Sequence, residues 1–247
     1  MSVRGVIFDL GDTLMYFNAS WDDVVNRATA GEMVAFFTHR RIELDETALV
    51  ETFFAERQAG RAVAERTNLE VTCGASLRAA LEKIQAPPEA FRLVPEAVRI
   101  YFKYGEAAWT AYPDARATLR HLYGQGYRLG ALSNATDDPN IQRVVNRLGL
   151  RPWLSPVFSS AGLGVRKPLR APFDLILSRW GLPPEAAVMV GDTLKADVAG
   201  AHAAGMRAVL ITTGESQSDD EPGPPIVPEA SIAELSQLPD LLEQWKT

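Results

Sequence analysis

Four short stretches of the chain end in side chains that could do chemistry. The first is Val6-Ile7-Phe8, which closes on Asp9 and runs on through Leu10-Gly11-Asp12-Thr13-Leu14, putting two carboxylates and a hydroxyl in one turn. The second, Leu129-Gly130-Ala131-Leu132, ends in Ser133-Asn134, a hydroxyl and an amide able to hydrogen-bond an oxyanion. The third is Gly164-Val165-Arg166-Lys167-Pro168, in which the proline holds Lys167 out of helix and so fixes the direction of a compact positive charge. The fourth, Val188-Met189-Val190-Gly191, is followed by Asp192 and then by Asp197. Each alone is accounted for by turn or capping chemistry. Asp, Gly and Thr are common turn residues, Ser and Asn cap helices, and an acid near a helix amino terminus meets the macrodipole. Together they offer hard oxygen ligands of the kind Mg2+ takes, a point charge suited to phosphate, and neutral donors.

The elements that must position these groups follow from the hydrophobic pattern. Short apolar runs at Val3–Phe8, Tyr127–Leu132, Pro156–Ser159, Ala187–Val190 and Arg207–Ile211 read as buried strands. Longer amphipathic stretches alternate with them, as in βα units of a parallel sheet with helices on both faces. In such sheets ligands bind beyond the carboxyl ends of the strands, where Asp9, Ser133 and Asp192 fall. One stretch breaks the alternation. Between Trp21 and Ala108 only helical patterns occur, at Ala28–His39, Glu46–Glu65, Ala75–Ile84 and Pro88–Trp109, separated at Asn68 and Pro87-Pro88. The predicted architecture is therefore α/β, a Rossmann-like core of residues 1–16 and 109–247 carrying an inserted all-α subdomain at 17–108. Residues Gly214–Pro228 read as a surface loop, and Ile232–Trp245 as a closing helix.

Composition narrows the function further. The chain has 247 residues, 47% hydrophobic and 23% charged, with net charge -6 and a pI near 5.2. An acidic balance gives no electrostatic reason to expect nucleic acid or an anionic membrane as partner. The single cysteine, Cys73, excludes an internal disulfide and a cysteine-based zinc site. Without a long apolar span or a signal-peptide pattern, a cytoplasmic protein is expected.

The four stretches, in this order and in the contexts Phe-Asp-Leu-x-x-Thr-Leu, Leu-Ser-Asn, Gly-Val-Arg-Lys-Pro and Val-Gly-Asp-Thr-x-x-x-Asp-Val-x-Gly-Ala, resemble the haloacid dehalogenase-like hydrolase superfamily from about Val3 to Thr213. The helical insert resembles that superfamily's type 1 cap, which lies over the site and selects substrate. The resemblance implies that Asp9 is a covalent nucleophile toward phosphorus. It implies that Asp9, the Gly11 carbonyl and Asp192 hold Mg2+, that Ser133, Asn134 and Lys167 bind the phosphoryl group, and that Asp197 supports the metal or Lys167. The expected substrate is a small phosphorylated metabolite, and the expected assembly a monomer or homodimer. Most phosphatases of the superfamily carry a second aspartate two residues after the nucleophile, as acid and base. Here that position is Gly11, and the acid comes one residue later as Asp12, so general acid–base help, worth about 10² to 10⁴ in rate, has to come from Asp12, a cap residue or water.

Other candidates carry less. His39, His121 and His202 lie in helical stretches without a ligand partner one turn on and read as helix-end or surface residues. Gly162-x-Gly164 lacks the strand–glycine–helix context of a dinucleotide site. Phe17 and Trp21 are placed to line a cleft between cap and core. Arg57 and Arg61 share a helix face that reads first as solvated, with contact to an anionic substrate as the alternative. Two competing functions remain. In a 2-haloacid dehalogenase on the same scaffold the aspartate attacks carbon and no metal is needed, which leaves Asp192 unexplained. A catalytically weak phospho-binding member is suggested by Gly11.

Overall fold

The structure is a computed structural model and describes residues 2–19, 23–212 and 225–246. Its strands are β1 (Gly5–Phe8), β2 (Met15–Phe17), β3 (Trp109–Ala111), β4 (Arg128–Ser133), β5 (Val157–Ser159), β6 (Ala187–Gly191), β7 (Arg207–Ile211) and β8 (Ala230–Ile232). The helices are α1 (Asp23–His39), α2 (Glu46–Thr67), α3 (Cys73–Lys83), α4 (Pro88–Arg92), α5 (Val94–Ala108), α6 (Ala115–Gly124), α7 (Asp138–Arg147), α8 (Ser160–Leu163), α9 (Arg170–Trp180), α10 (Ala199–Ala203) and α11 (Leu238–Gln244). The main sheet is parallel, in the order β5-β4-β1-β6-β7-β8. All five expected strands are present.

The chain fills one side of β1 with β4 and β5, then crosses to the other side with β6 and β7. This reversal beside β1 is the topological switch point at which open parallel sheets bind ligands. Phe8 is level with Ala131 of β4 and Val190 of β6, so Asp9 emerges one rung beyond, between the ends of its two neighbours. Side chains alternate along β1. Val6 and Phe8 pack with Leu119 and Leu122 of α6 and Val144 and Val145 of α7. Ile7 turns the other way, onto Phe173, Ile176 and Leu177 of α9. Burial on both faces is why this strand is apolar throughout.

The insert builds a core of its own. Met33 and Phe37 of α1, Leu49 and Phe53 of α2, Leu77 and Leu81 of α3 and Val98 of α5 pack in one cluster, separate from those of the sheet. Asp45 caps α2 and Thr72 caps α3, each accepting a backbone N–H, and Asn68 ends α2 in the left-handed conformation at φ 55°. These caps put the breaks where Asn68 and Pro87-Pro88 predict them.

Three features differ from expectation. Met15–Phe17 and Trp109–Ala111 form an antiparallel ribbon where the chain enters and leaves the helical insert. It is joined by Phe17 edge-on to Trp109 at 5.3 Å and by Tyr16 against Tyr112 at 5.0 Å. Second, Ala230–Ile232 adds a short edge strand beside β7. Third, the closing helix begins only at Leu238, after a single tight turn at Leu235–Gln237, with Pro239 in its first turn. Trp21 and most of the predicted loop Gly214–Pro228 lie outside the described residues. No helix among the described residues is long and apolar enough to cross a membrane.

Candidate active site

Four chain segments converge at the carboxyl ends of β1, β4 and β6. Asp9 follows β1, its N–H donating to the Val190 carbonyl at 2.9 Å, and it is only 8% exposed. Ser133 is the last residue of β4, and Asp192 directly follows β6. The fourth segment is the loop ending at Lys167, whose side chain is buried among acids. Lys167 Nζ donates to Asp9 Oδ1 at 2.7 Å and to Asp197 Oδ1 at 2.6 Å. A buried ammonium with two carboxylate acceptors is a short charge-assisted bridge between elements distant in sequence.

Asn134 holds that loop in place. Its Nδ2 donates to the Lys167 carbonyl at 3.0 Å, and its Oδ1 accepts the Lys167 N–H at 2.9 Å. Both polar atoms of the amide are thus engaged with the lysine backbone, which ties the end of β4 to the Lys167 loop. Asp197 lies in a wide turn, Leu194–Val198, and its Oδ2 accepts the Thr193 N–H at 3.1 Å. It packs so closely beneath β6 that a β-carbon on Gly191 would stand 2.3 Å from its Cγ. Only glycine fits there.

The electrostatics follow from burial. Desolvation raises the Asp9 carboxyl above its ordinary range, with Lys167 pulling the other way and the Asp192 charge adding to the rise. Burial, reinforced by Asp197, pushes Asp192 up to about 6. Asp197 is likewise pushed up to about 6 by burial, against the pull of Lys167. Burial alone would lower Lys167, but Asp197 and Asp9 outweigh it, so the lysine stays charged. Three carboxylates packed this tightly with one cation form a site that favours additional positive charge.

The donor set fits a hard divalent cation. Oxygens of Asp9, Asp192 and Asp197 lie within 4.8 Å of one another. Asp197 has both oxygens occupied, by Lys167 and by the Thr193 N–H. Asp9 and Asp192 are left able to serve as direct ligands, and Mg2+ typically takes one or two carboxylates. Asp12, in the left-handed region at φ 53°, is exposed, yet its charge reaches Asp192 and contributes to the rise there. Gly11 is open: a β-carbon would meet only the Trp109 ring, at 3.6 Å.

Beyond Asn134 the helical insert and the core border a cavity of about 730 Å³, with Asn134, Thr136 and Arg166 on the core side and Arg57, Arg61 and Tyr101 on the other. An adjoining cavity of about 370 Å³ is walled by Phe17, Phe102 and Trp109. Phe17 thus lines the cleft as expected; Arg61 is solvated as first read, its side chain 81% exposed beside Glu65, whereas Arg57 is half-buried at the cavity. Which side of α2 packs inward is set by Leu49, Phe53 and Ala64, and Arg57 is left at the edge of the cavity as a result. Tyr101, Thr136 and Arg166 were not singled out from the sequence. Arg166 could have been, as the neighbour of Lys167. The insert is fastened to this floor by backbone hydrogen bonds. Arg166 donates to Asn68 and Glu70 to Gly164, each at 2.9 Å, and Cys73 donates to Thr136 at 2.8 Å. The histidines take no part: His202 meets Glu229 at 3.2 Å, and His39 and His121 sit in the last turns of α1 and α6.

Comparison with known proteins agrees with this geometry. The family model of haloacid dehalogenase-like hydrolases matches residues 3–205. The chain belongs to the haloacid dehalogenase-like hydrolases. It is 36% identical over 149 residues to a ribulose-1,5-bisphosphate 5-phosphatase of Halopiger xanaduensis, covering 56% of this chain and 62% of the relative. It is 34% identical over 164 residues to a glyceraldehyde 3-phosphate phosphatase of Methanopyrus kandleri, covering 66% and 70% of the two. Among solved structures it is similar to a 2-haloacid dehalogenase from Pseudomonas syringae pv. Tomato DC3000, with TM-score 0.71, 29% identity and coverage of 98% and 99%.

Proposed function

We propose that the chain is a Mg2+-dependent phosphatase of small phosphomonoesters that works through an aspartyl-phosphate on Asp9. The observation that carries this reading is the Lys167 ammonium bridging Asp9 and Asp197 while Asp192 stands beside them. On this reading a nucleophilic carboxylate, a cation for the phosphoryl oxygens and a second acid ligand stand together at one strand edge. The phosphatase names of the two curated relatives support it. Residues 17–108 serve as the cap and the remainder as the catalytic core.

Mg2+ held by Asp9, Asp192 and the Gly11 carbonyl would neutralise charge on the phosphoryl oxygens. Asp9 attacks phosphorus in line with the departing ester oxygen, and the P–O bond to the alcohol breaks as the Asp9–phosphorus bond forms. Lys167 and the Ser133 hydroxyl donate to the transferring group. Asn134 acts one step back, holding Lys167 through its backbone, and Asp197 fixes the ammonium from the other side. Water then attacks the aspartyl-phosphate at phosphorus, releasing inorganic phosphate and restoring Asp9. Positioning and electrostatics account for most of such catalysis. With glycine at position 11, the leaving alcohol takes its proton from water or from Asp12.

The similarity to a 2-haloacid dehalogenase favours a second reading, carbon–halogen cleavage by Asp9. Asp192, free to bind a cation, weighs against it. Assay of p-nitrophenyl phosphate and 2-chloropropionate with Mg2+ and with EDTA separates the two. Phosphate release that needs Mg2+ and disappears in Asp9→Asn is expected. Chloride release indifferent to EDTA, or full phosphatase activity in Asp9→Asn, would overturn the proposal.

A further inference from the structure

We infer that the substrate carries a second anionic group, a carboxylate or another phosphate, which docks on Arg57 across the cleft from the acids. This rests on the phosphatase reading and narrows it to a substrate class. The 730 Å³ cavity is lined by four arginines against a single glutamate. Three of the four have carboxylate partners: Arg27 meets Glu51 at 2.8 Å, Arg61 meets Glu65 at 3.4 Å, and Arg166 meets Glu70 at 3.4 Å. Arg57 has no such partner among the described residues. It is half-buried and borders both the larger cavity and the smaller aromatic-walled one.

A guanidinium partly removed from water loses solvation that the neighbouring Tyr101 hydroxyl and the more distant Asp137 charge return only in part. An anion entering the cavity would return it, through the planar fork that suits carboxylate and phosphate alike. The neighbours hold Arg57 ready for this. The Tyr101 hydroxyl, beside it, donates to Asn26 at 3.1 Å, and the Arg57 charge works against the burial that raises that hydroxyl. On the far side Asn134 and Arg166 line the same cavity, and each adjoins a residue that would bind the phosphoryl group, Ser133 and Lys167. A small molecule whose phosphate sits at Ser133 and Lys167 would thus present its far end to the cavity that Arg57 lines. The smaller cavity, with Phe17, Phe102 and Trp109, accommodates the carbon skeleton rather than the charge.

The test compares molecules that share a skeleton and differ in the second charge: 3-phosphoglycerate against glyceraldehyde 3-phosphate, and ribulose 1,5-bisphosphate against ribulose 5-phosphate. The wild type should prefer the doubly anionic member of at least one pair by tenfold or more in kcat/KM. Arg57→Gln should cut that preference at least tenfold, chiefly through KM, and Arg57→Lys should keep part of it. Calorimetric binding of the same pairs to Asp9→Asn, with and without Arg57→Gln, reads the subsite independently of turnover. Tighter binding of the anionic member that is lost with Arg57 supports the inference even where hydrolysis fails and the phosphatase reading falls. Equal binding within each pair, or a preference unmoved by Arg57→Gln, overturns it.

Discussion

Replacing Lys167 by Met removes the one cation that the structure places among three acids, and its effect can be worked from the distances. Without the ammonium, Asp9 and Asp197 face each other with oxygens no more than 4.8 Å apart. At an effective dielectric of about 20 that repulsion is about 3.5 kcal/mol, which raises the protonation midpoint of one of the pair by roughly 2.5 pH units. Both already lie above their ordinary range, so a further rise favours a proton on the pair and lowers the charged fraction of Asp9. That alone is a rate loss of at most about 300-fold. Losing a charged donor to the transferring phosphoryl group costs a further ~10² to 10³. Lys167→Met should therefore lower kcat/KM for p-nitrophenyl phosphate by ~10² or more at saturating Mg2+. Adding Asp197→Asn removes the like charge but does not restore the donor, so the double variant should recover part of the loss, at most about 10²-fold over Lys167→Met. Circular dichroism and thermal unfolding establish that each variant folds. A folded Lys167→Met within tenfold of wild type, or a double variant slower than the single, would refute the reasoning.

Gly11→Asp is sterically open, since its β-carbon meets only the Trp109 ring at 3.6 Å. It should raise turnover of alkyl phosphates by about tenfold or more and of aryl phosphates much less, because a general acid helps poor leaving groups most; equal or absent gains in a rate assay of both classes would count against the missing-acid explanation. Burial pushes Asp192 up to about 6. A carboxyl raised in the folded state stabilises below its unfolded value, about 4, and loses that contribution as pH rises through about 6. In EDTA, Asp192→Asn should thus melt at a higher temperature than wild type above pH 6, with the difference vanishing near pH 4; a difference independent of pH would exclude the mechanism. Gly191→Ala brings a methyl to 2.3 Å from Asp197 Cγ, so it should displace Asp197 from Lys167, destabilise by about 1–3 kcal/mol as other overpacked sites do, and lose at least tenfold in activity, read by denaturant titration and steady-state assay; wild-type values in both would show that the packing beneath β6 is looser than drawn here.

The sequence by itself determined the sheet and the residues at its edge. β1, β4, β6 and β7 are legible because strands buried on both faces must be apolar throughout, and the polar residue after each run marks a strand end. The parallel arrangement follows from the spacing of the runs, and the helical insert from the absence of any such run across it. The short ribbon and the edge strand were not legible. Segments of three residues carry no periodicity, and what stabilises Met15–Phe17 is its aromatic contact with a segment far away in the chain.

At the site the same division holds. Residue type and position announced Asp9, Ser133, Lys167 and Asp192, because each follows a strand or sits in a loop whose backbone is restricted. Only the tertiary structure decided what they do to one another. Lys167 is 158 residues from Asp9 along the chain, and their 2.7 Å contact depends on Asn134 gripping the lysine backbone. Arg57 is the sharper case. Its helix pattern is that of any solvated face, and its orientation toward the cleft comes from how α2 packs on its neighbours within the insert, and how the insert is fastened at Asn68, Glu70 and Cys73 to the core. Local pattern specifies elements because periodicity is a local property, whereas the charge seen by a carboxylate or a guanidinium is a sum over neighbours that only the folded chain brings together.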